Sequence, residues 1–249
     1  MTRRHTTRFR AVLTLVAATI GLLVMLSPAL RTAVTSLDLT EIGRDAVTGP
    51  ADAIRASASV THARAELEQL DVKGRAPKTG YARALFGDGW ADLDDDGCHT
   101  RDEILHRDLT EVTLEDGSDC VVDSGQLEDP YTGTRIDFTR GQATSTAVQI
   151  DHVVALSDAW QKGAQQWSAD KRLRFANDPA NLIAVDGPTN AAKSDGDAAT
   201  WLPPHKAFRC EYVATQVRVK AEYGLWVTPA EHDATKQVLD ACRAKSTTH

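Results

Sequence analysis

Apolar positions along the chain fall into three regimes. An uncharged apolar run fills Ala11 to Leu26, residues 30–60 carry Ala, Thr and Ser without sustained periodicity, and from Thr61 onward apolar residues recur at helix or strand spacings. Ala65, Leu67, Leu70 and Val72 predict a short amphipathic segment that Gly74 and Pro77 end. Two β-branched, apolar pieces, Gln149 to Leu156 and Asn181 to Val185, predict short strands. Asp186-Gly187-Pro188 then predicts a turn, and Thr189 caps a helix beyond it. Near the end, Cys210, Val213, Val217 and Ala221 lie three or four apart and give a helix from Lys206 to Tyr223 one apolar face. Thr228-Pro229-Ala230-Glu231 combines an N-cap threonine, proline at the first helical position and glutamate three residues after the cap, so a last helix starts there. This mixture predicts an α+β fold.

The N-terminal regime is different in kind. Arg3, Arg4, Arg8 and Arg10 precede an apolar run shorter than the roughly 20 residues of a comfortable membrane span, and Ser27-Pro28-Ala29 offers small residues for cleavage. Residues 1–29 therefore read as an export signal, cleaved or retained as an N-terminal anchor. Residues 30–60 read as a linker, with order expected from Thr61. Either way the folded part is expected outside the cytoplasm.

Export gives the four cysteines a meaning, because oxidising compartments favour disulfides. The absence of a Cys-x-x-Cys pair argues against a cysteine zinc site. The helices flanking Gly224 to Thr228 should form an antiparallel hairpin. Among the three connectivities that four cysteines permit, this favours Cys210 with Cys242 and leaves Cys98 with Cys120.

Charge narrows the function. The chain carries 28 basic and 35 acidic side chains, a formal net charge of −7; without residues 1–29 and their four arginines the balance is 24 against 35, or −11. That weighs against generic polyanion binding, for which a broadly basic surface is usual. Any nucleic-acid chemistry must rest on a local site.

Such a site is legible in Gln149-Ile150-Asp151-His152-Val153-Val154-Ala155-Leu156, then Asn181-Leu182-Ile183-Ala184-Val185, then Thr189-Asn190-Ala191-Ala192-Lys193-Ser194-Asp195. A strand bearing Asp-His, a second strand and a helix bearing Asn and Lys resemble the ββα-metal core of HNH endonucleases. Asp129-Pro130-Tyr131-Thr132-Gly133, Ala159-Trp160, Phe175-Ala176-Asn177-Asp178-Pro179, Tyr81, Phe86-Gly87 and Trp90 extend the likeness over roughly residues 65–243. In that wider pattern the chain is similar to secreted HNH endonuclease-family proteins and to the C-terminal nuclease domain of GmrSD-type restriction enzymes.

The resemblance implies an N-terminal subdomain over residues 61–146, a ββα-metal core over 147–200 and a C-terminal helical hairpin over 201–249. It implies His152 as general base, Asp151 and Asn190 as ligands of a magnesium or manganese ion, Lys193 near phosphate and Asn181 as a structural asparagine. The residue types suit that chemistry. Imidazole with an ordinary pKa of about 6.5 accepts a proton near neutral pH, and a site with few oxygen ligands is how magnesium is usually held. Adjacent strand residues point to opposite faces, so Asp151 and His152 share a site only where the strand frays or bends. The plainer readings are a structural histidine, Asn190 as a helix-start cap and Lys193 at the surface. The expected substrate is nucleic acid, DNA favoured over RNA, and a monomer is expected.

A second acidic cluster, Asp92-x-Asp94-x-Asp96-Gly97 with Glu103, fits the spacing of a calcium loop with acids at positions one, three, five and twelve. Its position eight is His99, not an aliphatic residue, and Cys98 can tie it to Cys120. It reads as a calcium site, as an acidic turn pinned by a disulfide, or, by analogy with the family, as a segment sending Arg101 or Glu103 to the active site. The rival to a nuclease is a calcium-stabilised extracellular binding module that keeps an inactive nuclease-like fold.

Overall fold

The computed structural model of the protein describes residues 50–142 and 144–246; residues 1–49, for which an export signal and most of a linker are expected, lie outside them. Seven α-helices and five strands occur in the described residues. They are α1 (Pro50–Leu67), α2 (Thr100–Asp108), β1 (Thr110–Leu114), β2 (Val122–Glu128), β3 (Arg135–Thr139), β4 (Val148–His152), α3 (Leu156–Gln161), α4 (Ala169–Ala176), β5 (Leu182–Asp186), α5 (Gly187–Lys193), α6 (Arg209–Tyr223) and α7 (Pro229–Ser246). The class is α+β, as expected.

The strands form two antiparallel sheets, one ordered β1-β2-β3 and one pairing β4 with β5 from Val148 opposite Asp186 to His152 opposite Leu182. Val148, Ile150, Leu182 and Ala184 pack with Ile104 and Leu105 of α2 and with Val122, Leu127 and Phe138 of the larger sheet. A second core joins Val60, Ala63 and Leu67 of α1 to Tyr212, Val213 and Val217 of α6 and Leu239 of α7. Phe86, Leu156, Trp160 and Phe175 form a third.

Two expectations are corrected at the N-terminal end. The helix begins at Pro50, so residues 50–60 are helical where a linker was expected. Its buried face is therefore Val60, Ala63 and Leu67, while Ala65 is exposed and Val72 lies beyond the helix, bridged to Val227. Residues three, four and seven apart share one helix face, and packing against α6 and α7 turns this face inward.

The C-terminal end follows its local signals. Thr228 Oγ1 accepts from Glu231 N–H at 3.2 Å while Glu231 Oε2 accepts from Thr228 N–H at 3.3 Å, a reciprocal capping box. The preceding helix starts at Arg209, three residues past Lys206, and ends at Gly224 in the left-handed region. Disulfides join Cys210 to Cys242 and Cys98 to Cys120, the favoured connectivity. Among the described residues no helix is long and apolar enough to cross a membrane.

Candidate active site

On β4, Val148 and Ile150 face the core with Leu182 and Ala184, so Gln149 and Asp151 take the other face. His152 is the last residue of the strand. Beyond it the chain is held by Asn181, which is fully buried: its carbonyl accepts from Val153 N–H at 2.8 Å, its Oδ1 accepts from Val154 N–H at 2.8 Å, and its Nδ2 donates to Val154 O at 3.2 Å. The apolar run therefore does not continue as a strand to Leu156. Because the strand stops there, Asp151 and His152 both border one cleft of about 490 Å³, together with Gln149, Asn190, Ser194 and Arg83.

The His152 ring is buried and stacked on Trp90, with ring centres 5.7 Å apart and planes within 10°. Its Nε2 lies 2.8 Å from Ala176 O. A carbonyl only accepts, so Nε2 carries the hydrogen, and in the neutral ring Nδ1 keeps its lone pair. Burial pushes the imidazole pKa down to about 3; the Ala176 bond opposes the shift, and the charges of Arg83 and Lys193 add to it. The ring is neutral at pH 7.

Asp151 is also buried, and its carboxylate is already engaged. Lys193 Nζ lies 3.0 Å from Oδ1 and 2.9 Å from Oδ2, and donates to His152 O at 2.8 Å; Tyr131 Oη donates to Oδ2 at 2.5 Å. Lys193, expected near phosphate, is instead fully buried with its ammonium committed to Asp151 and to the backbone of His152, so it positions the site from beneath. Tyr131 is presented by the Asp129 turn: Asp129 Oδ1 accepts from the N–H of Tyr131 and of Asp186, and Oδ2 accepts from Thr132 N–H. One buried carboxylate thus ties the Asp-Pro-Tyr-Thr-Gly segment to the end of β5.

The helix carrying Asn190 starts one turn earlier than expected. Asp186, not Thr189, is its N-cap, accepting from Thr189 N–H at 2.8 Å and from Thr189 Oγ1 at 2.6 Å. A Cβ at Gly187 would collide with the carbonyl of Thr146, so the Asp-Gly-Pro turn needs glycine for this close approach. With the cap supplied by Asp186, Asn190 is free of that role. Its Nδ2 donates to Gln149 Oε1 at 3.0 Å, and its Oδ1 makes no hydrogen bond among the described residues.

The acidic loop sits apart from this cleft. Asp92, Asp94 and Asp96 can each bring one carboxylate oxygen within 4.8 Å of the others. Gly97 N–H donates to Asp92 Oδ2, and Glu103 lies on α2, its pKa raised by burial and by Asp94, Asp96 and Asp92. No basic side chain pairs with these four acids among the described residues. Arg101 donates to Val148 O, and neither it nor Glu103 borders the cleft, so the reading that sends them to the active site is set aside.

Tyr131, Gln149, Trp90 and Arg83 join the site although no role follows from their sequence positions. Periodicity does put Gln149 on the face of Asp151, two residues away; the others meet the site only through tertiary packing.

Residues 99–237 match the family described as GmrSD restriction endonucleases, C-terminal domain. A protein of Arthroderma benhamiae described as an uncharacterized secreted protein is 40% identical over 189 residues, which cover 74% of this chain and 86% of the relative. No solved structure matches the chain.

Proposed function

Because the chain belongs to the family of GmrSD restriction endonuclease C-terminal domains, we propose that it is an exported, metal-dependent endonuclease of the HNH type that hydrolyses phosphodiester bonds. One observation carries this reading: His152, its Nε2–H locked on Ala176 O, keeps an unprotonated Nδ1 beside the cleft that Asp151 and Asn190 also border. In this reading β4, β5 and α5 are the ββα-metal core.

The donor set fits a hard divalent ion. Asp151 offers a carboxylate, Asn190 an amide oxygen with no other partner, and the cleft leaves space for water and phosphate. When bound, magnesium or manganese would supply positive charge that neutralises the phosphate and the departing oxygen. The remaining work belongs to the chain. His152 Nδ1 takes a proton from a water whose oxygen bonds to phosphorus, the P–O3′ bond breaks, O3′ takes a proton from a solvent water in the cleft, and the products carry 5′-phosphate and 3′-hydroxyl ends. Ala176 and Trp90 hold the ring's tautomer and plane. Lys193 and Tyr131 fix Asp151, and Lys193 stands against any ion there, so the ion is held weakly.

DNA is the proposed substrate, and the protein acts as a monomer. Export is supported by the basic residues before the apolar run Ala11 to Leu26, by both disulfides and by the secreted relative. The Asp92, Asp94, Asp96 and Glu103 group is read as a calcium site that stabilises the N-terminal subdomain. Incubation of the purified protein with plasmid and magnesium, with and without chelator, tests the main reading. Relaxed and linear products that chelator abolishes are expected; intact plasmid beside a folded protein would favour the inactive binding module.

A further inference from the structure

The cleft beside His152 has a neighbour. A narrower slot of about 180 Å³, walled by Phe86, Gly87, Gly89, Trp90, Leu156 and Ala176, also touches the His152 ring, and Arg83 borders both spaces. Arg83 is the only cation among the described residues to do so. Its side chain is exposed and forms no hydrogen bond or ion pair among the described residues, whereas the other basic groups nearby are already committed: Lys78 to Asp195 at 2.9 Å, Lys193 to Asp151, and Arg75 to Asp197 at 2.7 Å.

The geometry points to Arg83 as the guanidinium that holds the scissile phosphate against His152, where the two spaces meet. This rests on the nuclease reading and adds a residue to it. Arg83 precedes the segment matched to the family, residues 99–237, and comes instead from the short 3-10 helix Arg83–Phe86. A guanidinium presents a planar fork of donors that meets two phosphate oxygens at once. In a chain of net charge −7 the overall field repels nucleic acid, so a cation without a carboxylate of its own is where phosphate is drawn.

The test measures binding and cleavage separately. Anisotropy of a fluorescein-labelled single-stranded oligonucleotide is recorded in chelator across a salt series for wild type, Arg83→Ala, Arg83→Lys and the exposed control Arg135→Ala. Arg83→Ala is expected to weaken binding about tenfold and to flatten the slope of log K against log[salt] by about 0.7, one single-strand phosphate. Arg135→Ala should leave the slope unchanged. With magnesium, Arg83→Ala should lower kcat/KM by one to two orders of magnitude, and Arg83→Lys should recover the salt slope but only part of kcat/KM, because a lysine restores charge without the fork. Equal slopes and equal kcat/KM for wild type and Arg83→Ala, in protein of unchanged melting temperature, would overturn the assignment. Wild type that binds without cleaving would sink the nuclease reading and leave the slope to judge Arg83; wild type that neither binds nor cleaves overturns both.

Discussion

At the scale of single residues, His152 and Lys193 make separate predictions. Replacing His152 by Gln removes the base but retains a side chain of similar volume, so cleavage should fall by about 10²–10⁴-fold while the fold persists. Single-turnover rates beside far-ultraviolet circular dichroism check this. The pH dependence differs from that of an ordinary histidine. With its pKa pushed down to about 3, the ring stays unprotonated far below 6.5, so the acid limb of cleavage should lie well under that value. Stability carries the opposite face of the same shift. Between about 3 and 6.5 the unfolded chain binds a proton at His152 that the folded chain refuses, so stability rises with pH across that window and is lost as pH falls. From pH 6.5 to 4.5 the carboxylates held low, such as Asp197 at about 2, remain charged, and the melting temperature of wild type should drop more than that of His152→Gln.

Lys193→Met should behave differently. It leaves the buried Asp151 carboxylate without its cation, and breaking one side of a buried pair costs about 3–5 kcal/mol. A divalent ion at Asp151 then replaces the lost charge, so magnesium should raise the melting temperature of Lys193→Met more than that of wild type. An equal response in both proteins would remove Asp151 from the metal site.

At the scale of elements, the start of α5 separates ligand from cap. Asp186→Ala removes the side chain that accepts from Thr189, and should cost about 1 kcal/mol of stability. Asn190→Ala should leave the melting temperature nearly unchanged and raise the magnesium needed for half-maximal cleavage; an unshifted titration would exclude Asn190 as a ligand. The acidic loop carries its own prediction. Calcium added to chelated protein should raise the melting temperature by mass action, and Asp94→Asn with Asp96→Asn should abolish that response. If the loop is only an acidic turn pinned by Cys98–Cys120, calcium moves neither protein.

At the scale of the whole molecule, a buried ionic cluster joins distant segments. Lys162 contacts Asp158, Asp197 and Glu231, Lys220 contacts Asp158 and Glu231, and Arg75 contacts Asp158 and Asp197. Burial pushes Asp158 and Asp197 up, but these cations overcome it and hold both below the ordinary carboxylate range. Their contribution is complete above the ordinary carboxylate pKa of 3.8 and is lost as pH falls below it, for Asp197 toward about 2. Glu231 thereby serves twice, closing the capping box of α7 and joining this cluster. The Cys210–Cys242 bridge closes a loop of 32 residues across the same helical pair. Chain-entropy reasoning assigns such a bridge about 3–4 kcal/mol, so Cys210→Ala with Cys242→Ala should lower the denaturation midpoint accordingly.

What the sequence determined by itself was whatever depends on neighbours in the chain. Thr228 to Glu231 specify their helix start through bonds spanning three residues, the two helices around Gly224 bring Cys210 to Cys242, and the apolar positions of β4 and β5 set which faces meet the core. The order of Asp151, His152, Asn181, Asn190 and Lys193 carried the family resemblance for the same reason. The partners of those residues were decided only in three dimensions. Ala176 fixes the tautomer of His152, Trp90 its plane, Tyr131 and Lys193 occupy Asp151, and Arg83 arrives from a segment far upstream. Local signals also misplaced two starts. Thr189 looked like a cap until Asp186, itself held by Asp129, took the role, and residues 50–60 looked like a linker until α6 and α7 supplied a surface for α1 to cover. Propensity and periodicity act within one turn or strand, whereas desolvation, stacking and charge pairing depend on which segments the fold packs together.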